Sequence, residues 1–412
     1  MTAKREIWLD FLRVTACFMV MIIHSTEPFY LGGDGGLILS ATDAFWVALA
    51  EGLCRCCVPV FLMASAYLQF PLHYSTGEFF KRRAVRILIP MLVWTLVYAL
   101  VWGEPVQNLK GLLLNFNYAA GHLWFVYMLL GIYLIMPMLS PWAEKVSKQE
   151  LSIYLGIWLF TLLIPYIREW GGGIPPIIQV ADGLPAQALF PLWGEASWNP
   201  FGTFYYMSGF VGYMLFGLYI RRFIPNTRQK ATQGLVLFLL GFTMIVFGLL
   251  RRFSETGESF PLAGDLAVAV AWEVPITFCS LFVLCTALGL VLMFRWAFRS
   301  ERSGPFYRRL ILPLSQAGYG MYLIHMLVLA YVSGWFRSWL GLGADGVLGQ
   351  LILVANSYAA TGINTPQATT GRTTVESTFD LNGRRVSNGS HPRGIYVKDG
   401  RKVAVAANKH VR

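Results

Sequence analysis

Ile7-Trp-Leu-Asp10-Phe-Leu-Arg13-Val-Thr-Ala-Cys17-Phe-Met-Val-Met-Ile-Ile-His24-Ser-Thr-Glu-Pro-Phe29 is an apolar run long enough to cross a bilayer, yet it carries a carboxylate, a guanidinium and an imidazole. A span needs roughly 20 apolar residues. Blocks of that order recur at Thr42–Phe70, Ile87–Trp102, Leu123–Trp142, Leu151–Ile167, Phe201–Ile220, Leu235–Leu250, Leu266–Phe294 and Leu310–Phe336. Val347–Ala355 is a tenth block, too short to span alone. Over the 412 residues, 56% are hydrophobic and only 13% charged, about half the charge of an ordinary soluble domain. Backbone groups in lipid must be satisfied within each segment, so the blocks are read as helices. The alternation of an outer-membrane barrel is absent. The expected fold is all-α, a polytopic membrane protein of nine or ten helices over residues 1–355, followed by a polar tail, 356–412. That tail has two strand-like runs, Thr374–Leu381 and Gly394–Val397, and a hairpin-type turn at Asn382-Gly383.

The formal charge of +11 does not indicate a nucleic-acid partner. With the N-terminus inside, Lys and Arg in alternate loops count 17 inside against 5 outside, the asymmetry of membrane topology. This places the loops around Arg83 and Arg221 in the cytoplasm and the long Arg168–Pro200 loop outside. Asp10 and Arg13 inside the first run, and the lack of a small-residue cleavage site, argue against a cleaved signal peptide. The six cysteines all lie in expected helices and read as free thiols. Cys54, Cys56 and Cys57 have no imidazole near them in sequence, so no metal site is expected.

Ionisable groups within spans are expensive and mark functional candidates. Arg13 lies near the inner edge and could snorkel to headgroups. Glu51 and Arg55, four apart, share a helix face and read equally well as an ion pair. Glu273 has no local partner. Three histidines coincide in depth: His24 lies about 25 Å up its helix at 1.5 Å per residue, His325 a similar distance up a helix running the same way, and His122 opens a helix at the outer face. Such a convergence, with Glu51 and Glu273 at hand, suits proton transfer.

Arg13 and His24 in the context Trp8-Leu-Asp-Phe-Leu-Arg13 and Met21-Ile-Ile-His24 resemble the hallmark of the acyltransferase family 3 membrane proteins. Further matching stretches are Arg55-Cys-Cys-Val-Pro-Val-Phe-Leu-Met-Ala-Ser65, Arg83-Ala-Val-Arg86, Gly121-His-Leu-Trp-Phe125 and Ser315-Gln-Ala-Gly-Tyr-Gly-Met-Tyr-Leu-Ile-His325. The resemblance covers about residues 5–340 and is nearest to the surface-polysaccharide O-acetyltransferase branch, that of the enterobacterial common antigen enzyme. It implies ten helices in a bacterial inner membrane, acetyl-CoA as donor from the cytoplasmic side, and a carbohydrate hydroxyl as acceptor. On that reading His24 is the general base, oriented by Glu273 or Glu51. Arg13, Arg83 and Arg86 hold the coenzyme A phosphates, since guanidinium forks match phosphate. His122, Trp124 and His325 contact the acceptor. A transporter is the competing class, with the same charges lining a path. Two departures stand out: Ser65-Ala66 replaces the usual Ser-Gly, and the tail resembles the C-terminal sorting tails of secreted Bacteroidetes proteins, which points to a fusion or frameshift near the tenth helix.

Overall fold

The computed structural model describes residues 5–30, 41–170, 201–256, 274–299 and 304–340, and in the tail 378–380, 385–386, 394–398 and 401–405. Glu273, Val347–Ala355 and all but the first residues of the Arg168–Pro200 loop lie outside the described residues.

Among the described residues the membrane part is built of helices joined by short turns. Its α-helices are α1 (Ile7–Tyr30), α2 (Ala41–Cys54), α3 (Cys57–Gln69), α4 (Thr76–Arg83), α5 (Ile89–Val101), α6 (Pro105–Leu112), α7 (Trp124–Lys145), α8 (Lys148–Thr161), α9 (Ile164–Trp170), α10 (Val211–Phe223), α11 (Arg228–Thr256), α12 (Leu281–Ala297) and α13 (Leu312–Leu340). Among the described residues, seven stretches are long and apolar enough to cross a bilayer: Ile7–Thr26, Ala41–Gln69, Thr76–Val101, Gly121–Lys145, Lys148–Ile167, Arg228–Ser254 and Val274–Ala297. The protein is therefore a multi-pass membrane protein. The apolar block Leu310–Phe336 forms most of α13, whose Ser315, Gln316, Gly318 and His325 make its first half more polar than the other spans.

Four expected helices are interrupted, each for a local reason. The block Thr42–Phe70 breaks at Arg55-Cys56 into α2 and α3. Pro59 has no N–H to return to the Arg55 carbonyl, four residues back. In Leu266–Phe294, the described part starts as a 3₁₀ turn, Val274–Ile276, and α12 begins only at Leu281, capped by the Ser280 hydroxyl. The two breaks face each other. Arg55 Nε donates to the Ile276 carbonyl (2.7 Å) and Tyr213 Oη to the Phe278 carbonyl (2.5 Å), so backbone groups freed inside the membrane find partners. Phe201–Ile220 is a 3₁₀ turn, Gly202–Met207, and then α10, separated by Gly209 at φ +79°. The thirteen residues of α10 reach about 20 Å, short of a bilayer core of about 30 Å.

The fourth interruption corrects the placement of Arg83 and Arg86. They do not stand at the head of a helix starting near Ile87. α4 and α5 form one rod, joined by a π turn, Ala84–Leu88, closed by Ile89 N–H to Ala84 O. A second π turn, Tyr307–Ile311, leads into α13 in the same way. Each is followed by one residue and a proline, Ile89-Pro90 and Leu312-Pro313. A proline ring crowds the carbonyl four residues back, here Arg86 and Arg309, and the wider turn relieves the clash. Tyr319 Oη on α13 donates to the Ile87 carbonyl (2.8 Å), tying one π turn to the other helix.

Close approaches fix the rest. α11 and α12 cross antiparallel along a glycine seam: a Cβ on Gly234 would meet Gly289 at 2.9 Å, one on Gly241 would meet Phe282 O at 2.4 Å, and one on Gly248 would meet Pro275 at 2.9 Å. Seven-residue steps keep small residues on one stripe, which lets membrane helices touch. Ala66, the departure from Ser-Gly, lies 3.0 Å from where Gly217 of α10 would place a Cβ. The small residue needed at that crossing is supplied by the partner helix. The main core gathers α1, α3, α7, α8, α10 and α12 around Leu9, Leu12, Met63, Trp158 and Tyr213.

Beyond the membrane part lie β1 (Thr378–Asp380), β2 (Arg385–Val386), β3 (Gly394–Lys398) and β4 (Arg401–Val405), an antiparallel sheet of order β2-β1-β3-β4. β1 and β2 pair antiparallel on either side of the Asn382-Gly383 turn signal, which lies outside the described residues. β3 corresponds to the expected run Gly394–Val397, and its pairing with β4 was not expected from the sequence.

Candidate active site

The site is built between two ends of α1. At the end rich in arginine, Asp10 is buried and fully engaged. Arg5 approaches it with two nitrogens (2.7 and 2.8 Å), Tyr307 Oη donates at 2.6 Å and Ser315 Oγ at 2.6 Å. One carboxylate thus locks α1 to the π turn and first helical turn of α13. Burial, and then its bond to Asp10, raise the Tyr307 phenol above its ordinary value, so it remains a donor at neutral pH.

Arginines at this end fall into two groups. Arg221 Nη1 donates to Tyr67 O, Arg222 Nη1 to Ala143 O, and Arg295 Nη1 to Ile220 O and Ile224 O. They cap carbonyls left over at helix ends. Arg13 and Arg83 are half-buried, yet neither donates a hydrogen bond among the described residues, and Arg83 Nε is buried without any partner. Arg83 lies over the rings of Phe79 (5.1 Å) and Tyr133 (4.9 Å). Tyr133 interacts electrostatically with both Arg13 and Arg83, so the two share this end of the protein. Arg86, on the π turn, is exposed.

At the other end three histidines from three elements meet. His24 of α1 lies 5.0 Å from His325 of α13, and His122 of the 3₁₀ turn Gly121–Leu123 lies 5.5 Å from His325, between ring centroids. Tyr98 packs edge-on to His122 at 4.5 Å and donates its hydroxyl to Leu323 O. Tyr322 donates to His122 O at 2.7 Å, which fixes the turn carrying His122 against α13. Nε2 of His122 and Nε2 of His325 are buried without a hydrogen-bond partner. A buried polar atom left bare normally costs about 1–3 kcal/mol. Two of them on rings that pack together mark a site whose partners arrive from outside.

His24, His122, Trp124, Phe61, Phe278 and Tyr322 line a cavity of about 30 Å³, room for a water or two. Phe61 and Tyr322 also border a smaller chamber, about 10 Å³, with Cys17 and His325. Trp124 packs on Phe278 (5.2 Å), and the Arg55 guanidinium lies over the Phe278 ring at 4.2 Å.

The sequence-derived residues are placed as follows. His24, His122, Trp124 and His325 come together. Arg13 and Arg83 both lie at the opposite end, with Arg86 three residues further along the rod. Glu51 is fully buried beside the cavity wall: the Thr26 hydroxyl donates to it at 2.8 Å and Arg55 Nη1 lies at 3.5 Å. That is the ion-pair half of the two readings. Glu273 lies outside the described residues. Among the described residues no cluster of His, Cys, Asp and Glu has the makings of a metal site, and all six cysteines are unpaired.

Sequence reasoning missed Asp10, Tyr133 and Tyr322. Tyr322 carried a usable signal: it precedes His325 by three residues and so shares its helix face. Asp10 and Tyr133 gave none, because Tyr307 and Ser315 are remote from Asp10 in sequence and Arg83 from Tyr133.

No curated protein and no solved structure matches the chain. Residues 6–361 match the family model Acyl_transf_3, described as an acyltransferase domain. The match spans α1 through α13, and therefore both the bare arginines and the three histidines, so the chain belongs to the acyltransferase family 3 membrane proteins.

Proposed function

We propose that this acyltransferase moves an acetyl group from acetyl-CoA to a hydroxyl of a surface carbohydrate, working in the bacterial inner membrane with its N-terminus in the cytoplasm. The observation that carries the reading is the meeting of His24, His122 and His325 in one cluster of rings, two of them with bare buried nitrogens. Arg13, Arg83 and Arg86 take the coenzyme A phosphates. His24 is eleven residues from Arg13, or about 16 Å along the helix. The donor's long, thin arm carries the thioester across that distance while its charged end stays anchored.

A sugar hydroxyl is a poor nucleophile at neutral pH. His24 removes its proton as the oxygen attacks the thioester carbonyl, then gives a proton to the departing thiolate. Trp124 supplies a flat apolar face for a sugar ring, and His122 a hydrogen-bonding group beside it. Glu51, held by Thr26 and Arg55, supports the wall through Phe278, and Glu273 is the remaining candidate to orient the His24 ring. Purified protein given acetyl-CoA labelled in the acetyl group and a lipid-linked or free oligosaccharide should release coenzyme A and label the sugar. Labelled sugar without thioester consumption, or carriage of either compound across a vesicle membrane without chemistry, would replace this reading with transport.

A further inference from the structure

Trp124, Met128, Gly131, Ile135, Met138 and Trp142 follow one another on α7 in steps of four and three, so they share one stripe of the helix. Its far end opens into a recess of about 430 Å³, walled by Ile135, Met138 and Trp142, by Tyr154 and Trp158 of α8, and by Val211 of α10. Both α7 and α8 belong to stretches that cross the bilayer, and Met138 is 77% exposed. The recess therefore faces hydrocarbon. Its walls are held in place. Trp142 Nε1 donates to Glu150 Oε1 (2.7 Å), and the indole stands edge-on to Tyr154 at 5.6 Å. Trp158 Nε1 donates to Gly209 O (2.8 Å), and its ring occupies the space that a Cβ on Gly212 would need. Each indole has used its one donor, so it offers the recess an apolar ring.

The stripe starts at Trp124, the ring given above to the sugar. Phe210 packs on Trp124 at 6.1 Å, and its neighbour Val211 belongs to the recess wall. Between the two ends stands Gly131, exposed, where an added Cβ would meet nothing within 4 Å. Trp124 and Trp142 are eighteen residues apart, about 27 Å along the helix, close to the bilayer core of about 30 Å. We infer that the acceptor is a lipid-linked sugar whose hydrocarbon chain lies along the α7 stripe and in the recess, with the sugar at Trp124. This rests on the proposed acetyl transfer and names the class of its acceptor. Holding the chain keeps the sugar at the site at a high effective concentration. Ordinary bilayer phospholipid is the competing occupant.

One oligosaccharide, prepared as its farnesyl glycoside and as its methyl glycoside, separates the two in detergent with acetyl-CoA as donor. Wild type should show a KM about tenfold lower for the farnesyl glycoside. The gain is modest because a chain that leaves lipid-like surroundings gains packing and no dehydration. Gly131→Phe, which puts a ring on the stripe, should bring the two KM values together. Leu134→Phe, on a neighbouring face where Leu134 is 64% exposed, should keep the preference, and thermal unfolding confirms that both variants fold. A direct reading needs no variant. A farnesyl glycoside bearing a diazirine on its chain, irradiated with wild type, should label the segment Ile135–Trp142. Unlabelled farnesyl glycoside should remove that label, and an equal concentration of phospholipid should not. Equal displacement by phospholipid would assign the recess to bulk lipid and overturn the inference. Equal KM values for the two glycosides in wild type would also overturn it, leaving acetyl transfer in place. Absence of transfer to either glycoside would remove the proposed function and this inference with it.

Discussion

Glu51 with Arg55, and His24 with His122 and His325, are both sets of ionisable groups buried in a membrane protein, and their hydrogen bonding differs completely. Glu51 is met by Thr26 and Arg55, and Arg55 by Ile276 O and the Phe278 ring. The histidine set leaves two ring nitrogens bare. The same contrast separates Arg221, Arg222 and Arg295, which cap helix ends, from Arg13 and Arg83, which donate nothing among the described residues. A charge inside the bilayer is therefore a weak marker of chemistry. A buried donor or acceptor without a partner is a stronger one, because folding has not compensated its desolvation.

The largest effect is expected at the open cluster. His24→Ala should lower turnover by roughly 10²–10⁴-fold, the contribution of a general base, while the thermal midpoint moves little. A turnover close to wild type in the folded variant would erase the distinction between the two sets. The closed cluster should respond in the opposite way. Glu51→Ala removes the carboxylate paired with buried Arg55, at a cost of roughly 3–5 kcal/mol, seen as a lowered unfolding midpoint in detergent. Turnover per folded molecule should stay near wild type. A collapse of turnover without loss of stability would make Glu51, and not the wall, the partner of His24.

The arginines give smaller contrasts. Arg83→Lys keeps the charge and loses the fork, so coenzyme A affinity should fall about tenfold, one charge-assisted hydrogen bond of roughly 1.5 kcal/mol. Arg221→Lys, at a capping position, should leave that affinity unchanged. Equal behaviour of the two variants in a binding titration would return both to topology alone. Arg86→Lys should have the least effect, within about fivefold, as befits an exposed ion contact.

Much of this was legible in the chain. The depth of His24 and His325 followed from helix rise and loop charge, since a helix converts sequence position to height directly. That the three histidines share one side of the bundle could not be read that way, because azimuth depends on helix–helix contacts such as Tyr98 with Leu323 O and Tyr322 with His122 O. The breaks were harder. A block such as Thr42–Phe70 is apolar throughout, and apolarity is blind to Pro59; only the proline's missing N–H marks the interruption at Arg55-Cys56. Arg86-Ile-Leu-Ile-Pro90 and Arg309-Leu-Ile-Leu-Pro313 are alike as sequences, and the likeness gained meaning once both proved to be π turns. Likewise Gly234, Gly241 and Gly248 stand seven apart, a pattern visible in the chain whose partner α12 was not.

The two-ended division of labour along α1 is tested most directly by coenzyme A binding to Arg13→Ala and His24→Ala, measured by titration calorimetry in one detergent preparation beside wild type. Arg13→Ala should bind at least tenfold more weakly, having lost a charge-assisted hydrogen bond of roughly 1.5–3 kcal/mol, while His24→Ala should bind as wild type does. Unchanged binding by Arg13→Ala, or an equal loss in both variants, would contradict a donor anchored at one end of α1 and used at the other.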